Sequence, residues 1–78
     1  EARQAYAQGD YKTALDLSTM ALAADPEWPE AFNLRGQILE QMGHTEEALA
    51  TYQAAVRYGP AYTEAARNLR RLQAEHER

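Results

Sequence analysis

With 78 residues the chain has room for one small domain, and it holds no cysteine, so disulfides and thiolate metal sites are excluded. A domain of this size buries only about 60% of the surface its unfolded chain exposes, so modest stability is expected. The formal net charge of −4, with acidic and basic residues mixed along the chain, argues against general nucleic-acid binding, and no apolar run is long enough for membrane insertion.

Residues 1–8 read as the last turns of a helix stopped by Gly9. The next helix is expected from Tyr11 to Ala24, with Asp10 as its N-cap and Ala14, Leu15, Leu17, Ala21 and Leu22 on its apolar side. A connection follows at Asp25-Pro26-Glu27-Trp28-Pro29. Trp28 reads either as a binding anchor or, the preferred reading, as a lid over the helix junction like Tyr62 further on. A third helix is expected over 29–42, with Ala31, Phe32, Leu34, Gly36, Ile38, Leu39 and Met42 at helical spacing. After the break at Gly43-His44-Thr45 a fourth runs from Thr45 to Tyr58, its apolar face made by Ala48, Leu49, Tyr52, Ala55 and Val56. Thr45 is positioned to cap it, and Glu46 and Glu47 complement its positive N-terminus. Gly9, Gly43 and Gly59 each follow an apolar run, where a left-handed residue ends a helix well. The fifth helix, expected over 61–75, has a thin apolar side of Ala65, Ala66, Leu69 and Leu72.

Sliding the chain by 34 residues superimposes Gly9 on Gly43, Ala14 on Ala48, Leu15 on Leu49, Ala21 on Ala55 and Pro26 on Pro60. Glycine, alanine and proline fall where a turn, a close helix contact and a helix stop are required. The middle stretch resembles a tetratricopeptide repeat, whose pattern is W-x2-L-G-x2-Y, then A-x3-F, an alanine and a proline. Phe32, Gly36, Leu39, Ala48, Tyr52, Ala55 and Pro60 take those places in turn, and Arg35 departs from the leucine. An arginine stem can lie along apolar surface with its head in water. Ser18 stands in the aromatic place one repeat earlier.

The resemblance implies an all-α fold: antiparallel helix pairs stacked as a short right-handed superhelix of about five helices, the last a capping helix. The expected parts are a truncated first repeat over 1–28, a complete repeat over 29–62 and a C-terminal cap over 63–78. Arg70 stands where a further packed helix would need a small residue, so the array is expected to end here, with a polar outer face.

The family's first helices line a concave groove that binds peptides. Carried over residue by residue, the lining is Arg3, Tyr6, Asn33, Gln37, Glu40, Arg67 and Arg71. The Lys and Asn of the family's carboxylate clamp are replaced by Asn33 and Gln37, and only Asn68 matches, so chaperone-tail binding is not expected. Arg67 and Arg71 share a helix face. They suit an acidic partner segment, or they belong to a solvated face on a capping helix. The expectation is a protein–protein interaction scaffold with a protein or peptide partner. The alternative is a self-association segment, a homodimer formed through the truncated N-terminal end. No nucleic acid, membrane or cofactor is expected. His44 and His76 lack ligand partners at metal spacing, Ser18 has no nucleophile-elbow motif, and no phosphate-binding glycine loop is present. No enzymatic role is expected. The chain reads as a piece of a longer protein, which leaves its location open, with the cytoplasm slightly favoured.

Overall fold

The computed structural model describes residues 9–77. These form four helices and no strand: α1 (Tyr11–Ala24), α2 (Pro29–Gln41), α3 (Thr45–Tyr58) and α4 (Thr63–His76). The helix expected over 1–8, with Arg3 and Tyr6, lies outside the described residues. Consecutive helices pack on each other, and α4 also reaches back to α2.

Local chemistry sets most boundaries. Gly9 has φ of +79°, which only glycine adopts cheaply, and the Asp10 carboxylate accepts the Thr13 N–H at 3.3 Å to cap α1. Pro29 occupies the first turn of α2, where its missing N–H costs nothing. The end of α2 is a Schellman motif: Gly43 has φ of +82°, its N–H bonds the Glu40 carbonyl at 3.0 Å, and the His44 N–H bonds the Leu39 carbonyl at 2.9 Å.

Three local expectations are corrected. The N-cap of α3 is His44, without a side-chain capping bond, so Thr45 is inside the helix and does not cap it. Gly59 has φ of −139°, which is not left-handed. Its role is steric instead: a Cβ at this position would lie 2.5 Å from the Pro29 ring, so glycine lets the start of α2 sit against the end of α3. Finally, α4 begins two residues later than expected, because a turn closed by the Tyr62 N–H on the Gly59 carbonyl at 2.9 Å occupies the intervening stretch.

The core has two parts bridged by Leu15. One is Ala14 and Ile38 with Tyr11, Leu17 and Leu34 around them; the other is Leu39, Ala48, Tyr52 and Leu72 with Leu49 and Leu69. Tyr52 is fully buried in a seat made by Gly36, where a Cβ would come within 2.6 Å of its ring. The close approach at Gly36 is therefore helix to ring. Phe32 stacks on Tyr58 with centroids 5.6 Å apart, closing the other end of the α2–α3 hairpin. Ser18 is as buried as Tyr52 and donates to its own helix, to the Leu15 carbonyl at 2.9 Å. Arg35 replaces leucine without loss of order: its guanidinium donates to Thr19 of α1 at 3.4 Å and Thr51 of α3 at 3.3 Å, with Glu47 at 3.7 Å. Trp28 does not form the expected lid. It is 43% exposed, whereas its counterpart Tyr62 is half-buried and hydrogen-bonded to Glu64.

Candidate functional site: the face shared by α2 and α4

Of the first-helix positions singled out from the sequence, Asn33, Glu40 and Arg71 take part in two polar clusters that join α2 and α4. In the first, the Asn68 amide donates to Asn33 Oδ1 at 3.0 Å, and Asn33 Nδ2 donates to the Tyr62 hydroxyl at 3.5 Å. Asn33 is 2% exposed. It fills the joint between repeats and is not on the open surface expected of a lining residue. The Tyr62 hydroxyl in turn donates to Glu64 at 2.9 Å, and burial together with this carboxylate raises the phenol's pKa.

The second cluster centres on Glu40. Arg71 grips its carboxylate with both terminal nitrogens, at 3.0 Å and 2.5 Å, and the Tyr52 hydroxyl donates to the same group at 2.5 Å. Arg71 also donates to Glu75 at 2.7 Å. Burial by itself raises the Glu40 pKa. The hydrogen bonds from Arg71 and Tyr52, with the arginine's charge, outweigh burial and hold it below the usual carboxylate range. The Arg71 pKa moves up for the matching reason, chiefly its bond to Glu40. Beside this cluster lies a shallow depression of about 380 Å³ lined by Glu40, Thr45, Leu72, Glu75 and His76.

Arg71 thus has its charge matched twice within the chain, and an acidic ligand would have to compete with Glu40 and Glu75. Arg67, one turn earlier on α4, is exposed and forms no ion pair among the described residues. Gln37 is half-buried on α2, between the two clusters in sequence. Arg3 and Tyr6 lie outside the described residues. Sequence reasoning missed Tyr62, Glu75 and the Tyr52 hydroxyl as partners. A signal for the ion pair existed: Glu40 and Arg71 are opposite charges 31 residues apart, one repeat less nearly one helical turn.

Among the described residues no group of three or more His, Asp or Glu side chains could hold a metal ion. No described helix is long and apolar enough to cross a membrane.

The model of the tetratricopeptide repeat family matches residues 5–75. No curated protein matches the chain. The match covers nearly the whole sequence, and the chain belongs to the tetratricopeptide repeat family. That family consists in general of protein–protein interaction modules and is generally non-catalytic.

Proposed function

We propose that this tetratricopeptide repeat chain is a non-catalytic scaffold that binds a peptide or partner segment along the side formed by α2 and α4, the concave side of a right-handed superhelix. One observation carries the reading: α4 is held beside α2 through Asn68–Asn33 and Arg71–Glu40, so Gln37 and Arg67 come from adjacent first helices. The charge preference of the face is narrower than two free arginines imply. Arg71 is neutralised by Glu40 and Glu75, so preference for an acidic stretch rests on Arg67. Its guanidinium offers paired donors to a carboxylate, and Gln37 can satisfy a peptide's backbone groups.

The test is an NMR titration of the labelled chain with peptides selected from a random display library. Amide shifts centred on Gln37 and Arg67, with affinity lost in Arg67→Glu and helicity unchanged, support this face. Shifts centred on the outer side of α1 and α3, with Arg67→Glu binding normally even at low salt, reject it. Self-association is the second reading, and Met20 and Trp28 favour it as large apolar side chains with substantial exposure. A light-scattering mass that stays monomeric across concentration removes it.

A further inference from the structure

The last helix is fastened to the body of the chain in two ways. Its apolar fastening is small: Ala65 and Leu72 are its only buried side chains among the described residues, with Leu69 packed beside Leu72 against Leu39, Ala48 and Tyr52. Its polar fastening to α2 is the Asn68 amide on Asn33 and, further along, one carboxylate that gathers the charged bonds. Glu40 receives both terminal nitrogens of Arg71 from α4 and the hydroxyl of Tyr52 from α3, so one group of α2 ties all three helices. The same Tyr52 ring sits on Gly36 and is fully buried. Releasing Arg71 therefore loosens α4 next to the largest core side chain.

We propose that α4 is a strap latched by the Glu40 carboxylate: loss of that charge frees α4 from α2 and α3 as a unit, while α1, α2 and α3 keep their packing. A protonated Glu40 has no charge to hold the guanidinium fork and gives up acceptor capacity to its own proton. What remains on α4 is the Asn68–Asn33 hydrogen bond and an apolar seat of one leucine and one alanine with a half-buried leucine, which suits opening below the free energy of global unfolding.

The surrounding groups leave Glu40 as the switch. Tyr52 faces it from α3; Arg71, Glu75 and His76 face it from α4; Thr45, which lines the same depression, carries no charge. Protonating His76 adds positive charge beside the carboxylate and favours the closed strap. Protonating Glu75 takes one partner from Arg71 and leaves the fork to Glu40. Only protonation of Glu40 itself opens the latch. Its folded pKa is lowered, so the closed form is favoured at and above neutral pH and is lost as pH falls through that lowered value. Opening carries Arg67 and Arg71 away from α2 and uncovers Leu39 and Tyr52, so it reshapes the α2–α4 side whether or not that side is where a partner binds.

The experiment is amide hydrogen exchange on the full chain at a series of pH values from 7 down to below the carboxylate range, corrected for the intrinsic exchange rate. At pH 7, Glu40→Gln should raise exchange in α4 about tenfold, as loss of a charge-assisted partner implies, with α2 and α3 close to wild type. Wild type should approach that variant only as pH falls through the lowered Glu40 value, the variant's α4 should change little over the series, and Glu75→Gln should follow wild type. Equal loss of protection in α2, α3 and α4 overturns the strap, as does unchanged α4 protection in Glu40→Gln. Glu75→Gln matching Glu40→Gln overturns the assignment to Glu40. Should Glu40→Gln fail to fold, Arg71→Gln gives the same readout from the other partner: faster α4 exchange from pH 7 downward supports the latch, and wild-type protection at pH 7 rejects it.

Discussion

Ser18 on α1 and Tyr52 on α3 occupy the same place in successive repeats, 34 residues apart, and both are sealed from solvent. They fill that place by opposite means. Ser18 is small and spends its hydroxyl on its own helix, so it asks nothing of a neighbour. Tyr52 reaches across: its ring needs the missing side chain of Gly36, and its hydroxyl needs Glu40, which in turn holds Arg71. One repeat period therefore produces a junction closed by simple packing and a junction closed by a chain of mutual dependence. Position in the repeat sets burial, and the residue's reach sets how far a change there is felt.

The largest effect is expected from Tyr52→Ala. It empties the core of its bulkiest buried side chain and removes a donor from Glu40, and should cost about 3–5 kcal/mol in urea unfolding. Gly36→Leu attacks the same contact from the other side and should cost about 1–3 kcal/mol by overpacking, or more if the ring cannot move. The exposed Gln53→Leu is its control. Equal urea midpoints for the two leucine variants would show that the ring does not need the seat. Ser18→Ala completes the comparison at the low end. The hydroxyl's bond is local and no second helix loses a partner, so the change should stay within about 1 kcal/mol. A loss as large as that of Tyr52→Ala would break the contrast between the two junctions.

The spacing of apolar residues placed α1 and α3 with the bounds observed and α2 within one residue, because helical period and glycine or proline punctuation are written locally. What was not legible lies between elements. Asn33 shares a register column with lining residues, yet Asn68 and Tyr62 close over it, and nothing in the spacing reports that closure. Arg71 was read as a cation facing a groove. Its partners come from 31 residues upstream and from the next turn, and only their meeting in space shows that the charge is matched. Gly59 was read from the commonest use of glycine after a helix, whereas its actual constraint is the Pro29 ring, a contact between two helix ends far apart in sequence.

The dependence of the second junction on Glu40 is tested most directly by a double-mutant cycle. Glu40→Gln, Arg71→Gln and the double variant are compared with wild type by urea unfolding at neutral pH. Glu40 is well covered while Arg71 is 46% exposed, so the pair stands between an exposed surface pair and a buried one. The coupling should be about 1 kcal/mol, and it should disappear below the carboxylate range, because the folded chain holds the Glu40 pKa below its unfolded value and acid removes the stabilisation. A coupling indistinguishable from zero at neutral pH would contradict the account and leave apolar packing and the Asn68–Asn33 hydrogen bond to hold α4 in place.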